Sequence, residues 1–230
     1  MADVTLTYKG STIAEMSNSG TKTLKTSGKY CEGDIGVSYV KPSSGSGFWD
    51  KDTASTLISR RIYSIDLPSD LTKIGNYAFA DCNMLKLSSL PNSVTEIGRY
   101  AFYDCFNINL TSLPTSLTKI YPSAFEECHA LKITSIPNGV TSIGDRAFYS
   151  CDSITTIEIP ASVYSVGSEA FKSCSTLKQV TFKDILDTVG TSAFASCPKL
   201  TDIYVPWAQG AVSGAPWGAT NATIHYNTTT

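Results

Sequence analysis

The chain is poor in the residues that most often carry metal and acid–base chemistry. Its 230 residues include two histidines, His129 and His225, and no cysteines in a C-x-x-C spacing, so the ligand pattern of a zinc site is missing. A basic surplus is lacking as well. Eighteen lysines and arginines face 20 aspartates and glutamates, a net charge of -2, so neither nucleic acid nor a membrane is an expected partner. No apolar run reaches the length of a bilayer-crossing helix, and the opening MADVTLTYKG lacks the charged start and apolar core of a signal peptide. A product made in the cytoplasm without a signal peptide is the expectation. Nucleophile elbow, phosphate loop and paired carboxylates at a motif spacing are all missing, so no catalytic residue and no cofactor is assigned, and no enzymatic activity is expected. The neighbouring Glu126 and Glu127 read as a solvated face.

What the sequence has in abundance is a repeat. Phe79, Phe102, Phe125, Phe148, Phe171 and Phe194 are evenly spaced without an insertion, and Cys82, Cys105, Cys128, Cys151, Cys174 and Cys197 come after each at the same interval. An alanine precedes each of these six phenylalanines. Earlier in each copy stands a glycine (Gly75, Gly98, Gly144, Gly167, Gly190), with Tyr121 the exception, and before it an aliphatic residue. A proline opens five copies at Pro68, Pro91, Pro114, Pro137 and Pro160, while Lys183 takes its place in the sixth. The unit reads P-x-x-(L/V)-x-x-(I/V)-G-x-x-A-F-x-x-C-x-x-(L/I), and a fixed period of this size marks a solenoid.

Each part has a physical reading. ITTIEIP, residues 154–160, alternates at its end so that Ile157 and Ile159 point in and Glu158 points out, as in a strand. The proline, lacking a donor, ends it. The glycine permits a left-handed or tightly packed backbone. The x-x-A-F-x-x-C segment is expected as a helical turn or short helix, which makes the fold an α/β solenoid. No unit covers its own apolar face, so copies must stack, and stacking sets the cysteines in an internal column. Buried, reduced packing thiols are the preferred reading; rung-to-rung disulfides and metal binding are the alternatives. Cys31 lies outside this ladder and is unexplained by it.

The chain divides into a small β module at 1–42, a Gly/Ser linker at 43–47, a cap and half repeat at 48–68, the solenoid at 69–205 and a closing cap at 206–230. In the module, Val4, Leu6 and Tyr8 alternate as in a strand, and DIGVSYV reads as another. Forty residues make a poor independent core, so the module is expected to anchor or oligomerise, and a homo-oligomer is anticipated. Phe48 and Trp49 are placed over the first rung, with Asp50 or Asp52 capping the short helix expected after them. Thr56 and Ser59 stand where phenylalanine and cysteine would be. Trp207 and Trp217 are expected to cover the last rung rather than stack on sugar.

The strand face offers a candidate binding surface. Its outward positions are Asp66, Ser89, Ser112, Ser135, Glu158, Thr181 and Tyr204. In LKLSSLP, INLTSLP and LKITSIP the register puts Ser88, Thr111 and Thr134 inward and Leu87, Leu110 and Ile133 outward, an apolar row of the kind that marks contact. The alternative is a bulge that turns the three aliphatics inward, with the hydroxyls bonding the backbone.

The IGxxAFxxC copies, with LPxSVTxIG between them, resemble the BspA-type leucine-rich repeat over about residues 56–205. That resemblance implies a leucine-rich-repeat solenoid of 23-residue units. The opening LTYKGSTIAEMSNSGTKTLKTSGKYCEGDIGVSYVKP resembles a module at the start of structural proteins of phages that infect gut Firmicutes, and the VPWAQG to APWGATNATIHYN ending resembles the segment closing those chains. These two resemblances imply a virion component, non-enzymatic, attached to other virion proteins through residues 1–42. Its solenoid would be displayed for adhesion to a host surface protein or glycan. A bacterial cell-surface adhesin built on the same repeat is the alternative.

Overall fold

Aliphatic residues spaced for one buried side chain per corner give each unit the form of one turn of a parallel β-solenoid. The computed structural model describes residues 4–8, 11–16, 34–39, 67 and 69–228. Cys31, the linker, Phe48, Trp49, the aspartates after them, the half repeat through Asp66 and Pro68 lie outside the described residues. We number the rungs 1 to 6 by their phenylalanines, Phe79 to Phe194.

Three walls enclose the core. The first is built from two-residue strands: β4 (Lys73–Ile74), β5 (Glu96–Ile97), β6 (Lys119–Ile120), β7 (Ser142–Ile143), β9 (Ser165–Val166) and β11 (Thr188–Val189). Their parallel pairing continues into β3 (Asp34–Tyr39), which meets β4 with Ile35 opposite Ile74. β1 (Val4–Tyr8) then pairs antiparallel with β3, and β2 (Ser11–Met16) antiparallel with β1. The amino-terminal strands thus extend the solenoid's own sheet.

The second wall holds the A-F-x-x-C segments. Among the described residues no helix forms; these segments are successive turns. The residue before each alanine and the residue before each cysteine are left-handed, as at Tyr77 (φ 58°) and Asp81 (φ 58°) and onward to Ser192 (φ 59°) and Ser196 (φ 57°). That conformation costs a non-glycine residue on the order of 1 kcal/mol. It turns alternate N–H groups toward the next rung: Tyr77 N donates to Arg99 O (2.9 Å), Phe79 N to Ala101 O (2.8 Å) and Asp81 N to Tyr103 O (2.7 Å). A helix would keep those donors within its own turn, so the inter-rung ladder is the physical reason turns replace it. Glycine serves the other role foreseen for it, close approach. A Cβ on Gly144 would lie 2.4 Å from Pro122 N, and one on Gly167 2.5 Å from Asp145 N.

The third wall differs along the chain. β8 (Thr156–Ile159), β10 (Gln179–Phe182), β12 (Asp202–Tyr204) and β13 (Thr223–His225) form a parallel sheet, whereas rungs 1 to 3 have only irregular backbone there, joined to the sheet by a bridge between Ser135 and Glu158.

Inside, the phenylalanine rings stack at centroid separations of 5.3, 5.3, 5.5, 5.1 and 5.6 Å and lie within 13° of parallel. Offset stacks of this kind add about 0.5–1.5 kcal/mol per pair beyond area burial. Beside them the six cysteines are free thiols and buried. Each thiol from Cys105 onward donates to the phenylalanine carbonyl of the rung before, as Cys105 Sγ does to Phe79 O (2.9 Å) and Cys151 Sγ to Phe125 O (3.1 Å). Phe79 O already accepts Cys82 N (3.1 Å), so the sulfur occupies that oxygen's second lone pair, which alanine or valine cannot do. Burial pushes the thiols of Cys105, Cys128 and Cys151 well above the ordinary cysteine pKa. At the far end Phe182 meets Trp207 and Trp217 at 5.4 and 6.0 Å, both tryptophans are buried, and Trp217 O accepts Phe194 N where a seventh rung would.

Candidate binding surfaces

On the third wall Ser89, Ser112, Ser135 and Glu158 are exposed and line up across rungs 1 to 4. Glu158 pairs with Lys183 at 3.2 Å. Thr181, the next position, is buried and accepts a bond from Gln179 Nε2 (3.2 Å). Tyr204 is half-buried and stacks on His225 at 4.5 Å, and His225 Nε2 lies 2.8 Å from Asp202 Oδ1. The hydrogen bonds from His225 and Thr201 hold the Asp202 carboxyl below its ordinary range. Asp66 lies outside the described residues.

Leu87, Leu110 and Ile133 do not belong to this surface. They are 7, 0 and 0% exposed and sit in the core, while Ser88, Thr111 and Thr134 point to solvent. The aliphatics turn inward, as the alternative reading has it, but along irregular backbone rather than through a bulge between paired strands. Rungs 1 to 3 bury apolar residues in the order Leu85, Leu87, Leu90, and rungs 4 to 6 in the order Ile154, Ile157, Ile159. Two consecutive residues must face out once per rung, and they do so after the middle aliphatic in the first case and before it in the second.

The turn wall carries the more varied chemistry. Tyr77 and Tyr100 stack at 5.0 Å, and Tyr103 meets Tyr100 edge-on at 5.8 Å. In the next rungs Phe106 stacks on His129 (5.0 Å), whose ring nitrogens face Asp152 Oδ2 (2.8 Å) and Glu127 Oε2 (3.4 Å). Arg146 then lies 3.9 Å from the Tyr149 ring centroid and binds Glu126 (2.5 Å) and Glu169 (2.8 Å). Glu126 is buried beneath this guanidinium, which corrects its reading as a solvated acid: Arg146, from the next rung, covers and pairs its carboxylate. The position before each cysteine holds Asp81, Asp104 and Glu127 in rungs 1 to 3 and Ser150, Ser173 and Ser196 in rungs 4 to 6. Burial, then the charges of Asp81 and Glu127, push the Asp104 carboxyl up to about 6. Treating the repeat as a consensus hid these residues; reading each variable position down its column would have found them.

A shallow depression of about 230 Å³ opens beside the glycine column, lined by Lys73, Asn76, Glu96, Arg99 and Tyr121. Tyr121, the residue that replaces the glycine, forms one side of it. Among the described residues no group of histidine, cysteine, aspartate or glutamate is arranged to hold a metal ion, and no helix is long and apolar enough to cross a membrane.

Known proteins share this geometry. The BspA type leucine-rich-repeat region matches in six copies over residues 57–172 and 141–210. A leucine-rich cell surface protein from Faecalibacterium prausnitzii is similar in structure, with 34% identity and a TM-score of 0.58 over 64% of this chain and 40% of that one. The leucine-rich-repeat protein of T. pallidum shares 30% identity and a TM-score of 0.54 over 61% of this chain and 68% of its own. The chain therefore spans about two fifths of the F. prausnitzii protein. No curated protein matched. Matched across six registered copies and built as the repeat requires, the chain belongs to the BspA-type leucine-rich-repeat family.

Proposed function

We propose that this protein is a non-catalytic binding protein whose solenoid is a rigid surface displayed for adhesion. One observation carries the reading: the thiols of Cys82 to Cys197, the nucleophiles repeated in register, are buried and turned inward, while most of the chemical variety lies in outward columns. A scaffold with an invariant interior and a variable exterior is suited to recognition. The family supports this reading, as does the cell-surface description of the F. prausnitzii relative.

Display on a phage particle is the finer proposal. It rests on the likeness of residues 6–42 and of the closing segment to virion proteins, with residues 1–42 as the attachment device, the assembled form a homo-oligomer, and a host protein or glycan as the solenoid's target. Display on a bacterial envelope is the second reading, favoured by the same F. prausnitzii relative. Mass spectrometry of purified virions and of cell envelopes separates them. Stoichiometric copies in virions support the first, and recovery from envelopes alone overturns it. If labelled protein adheres to neither host cells nor their extracted glycans and surface proteins, the adhesion proposal itself fails.

A further inference from the structure

The turn wall of rungs 1 to 3 has a composition that the same wall of rungs 4 to 6 completes from within. In the later rungs Arg146 rests on an aromatic ring, Tyr149, and two carboxylates from different rungs, Glu126 and Glu169, close around its guanidinium. Tyr103 stands in the column of Tyr149 and keeps company with Tyr100 and Tyr77, of which Tyr77 is 42% exposed. The carboxylates are present as well. Burial, then the charges of Glu126, Asp104, Asp81 and Glu127, raise the Tyr103 hydroxyl above its ordinary range, and Phe106 borders Glu127 through its stack on His129. A lysine or arginine is not. Among the described residues neither Asp104 nor Glu127 has one within ion-pair distance; the basic group at hand is the His129 imidazole, 3.4 Å from Glu127 and shared with Asp152, and the position equivalent to Arg146 is filled by Tyr100.

We infer that this face, where Tyr77, Tyr100, Tyr103 and Phe106 border the carboxylates of Asp104 and Glu127, docks an arginine- or lysine-bearing segment of a partner protein. The aromatic faces attract the cation through their quadrupoles, and the carboxylates supply charge-assisted hydrogen bonds. A neutral glycan would use the rings but leave the surplus of carboxylates over the single His129 imidazole unanswered, so charge complementarity favours the basic segment. The inference goes beyond the adhesion reading and holds whichever particle or envelope displays the chain.

The test titrates the full chain, by calorimetry at pH 7.5 and low salt, with an acetylated arginine–glycine peptide, its glutamate–glycine counterpart and a neutral oligosaccharide. Saturable binding of the arginine peptide alone is expected. Asp104→Asn with Glu127→Gln, and separately Tyr77→Ala, should each weaken it about tenfold or more. Asp187→Asn, at an exposed carboxylate beside β11 and outside either candidate surface, should leave it unchanged. Unaltered circular dichroism and melting of the variants establish that they fold. If the arginine peptide does not bind, if all variants bind it equally, or if the oligosaccharide binds in place of the peptide through Tyr77, the inference is overturned.

Discussion

Rungs 1 to 3 and rungs 4 to 6 share a period, a phenylalanine stack and a thiol ladder, yet they differ on two of their three walls. On the third wall the later rungs run as full strands, β8, β10 and β12, whose register pairs up to four residues with the neighbouring rung. The earlier rungs keep isolated bonds there, Asn109 N to Leu87 O (3.0 Å) and Lys132 N to Leu110 O (2.9 Å). On the turn wall the earlier rungs are aromatic and acidic, and the later ones hold serines and internally paired charges. The lesson is that the common core stack, the unbroken first-wall sheet and the turn-wall hydrogen-bond ladder hold the rungs together, which leaves the third wall's register and the turn wall's side chains free to diverge.

Truncating the core that both halves share should cost the most. Phe148, the first ring of the later half, is fully buried and stacks on Phe125, the last ring of the earlier half, at 5.5 Å and on Phe171 at 5.1 Å. Phe148→Ala removes both stacks and leaves a cavity, an expected loss of about 3–5 kcal/mol in chemical denaturation. Coupling between neighbouring rungs carries the loss into both halves, so amide exchange should accelerate in rungs 1 to 3 as much as in rungs 4 to 6. Exchange that quickens on one side of Phe148 alone would show two independently stable blocks.

Next comes the equivalence of Leu110 and Ile157, which occupy different repeat positions but the same core. Leu110→Ala and Ile157→Ala should each cost about 2–5 kcal/mol. An exposed Leu110 would give a change within about 0.5 kcal/mol, and that result would restore the outward register.

These two residues also mark how far the sequence was legible. The period, the phenylalanine and cysteine ladders and the inward Ile157 and Ile159 are set by spacing, because one buried position per corner repeats without an insertion. The outward assignment of Leu87, Leu110 and Ile133 failed because it carried one rung's register to all. The apolar intervals themselves, two then three residues in LKLSSL against three then two in ITTIEI, contain the correct answer. The turn ladder was illegible for another reason. Left-handed residues are usually signalled by glycine or asparagine, and here Tyr77, Arg146 and Ser150 adopt that conformation because a neighbouring rung rewards it with a hydrogen bond.

A smaller effect tests whether register belongs to each rung or to its neighbours. Exchanging two residues in rung 3, Ile133→Thr with Thr134→Ile, gives it the pattern of rung 4 with its volume conserved. Stability should change by less than about 1.5 kcal/mol, and backbone amides at 132–136 should gain exchange protection as the sheet extends past β8. A loss above about 3 kcal/mol would mean that rungs 1 and 2 impose their phase.

The smallest effect concerns the acidic column that only the first rungs have. Asp104 has its carboxyl raised to about 6, first by burial and then by Asp81 and Glu127, so the folded state holds its proton more tightly than the unfolded chain does. Its contribution to stability is therefore fully present below the ordinary carboxylate pKa of about 4 and is lost as pH rises through about 6. Asp104→Asn removes the penalty. Because the side chain is partly solvated, screening limits the gain to under about 1 kcal/mol. Urea midpoints should show the variant more stable than the parent at pH 7.5 and indistinguishable from it at pH 4. The opposite order, a variant weaker at pH 7.5, would mean that the Asp104 carboxylate is held by a favourable partner, and the contrast between an acidic, cation-seeking first half and a charge-balanced second half would lose its electrostatic basis.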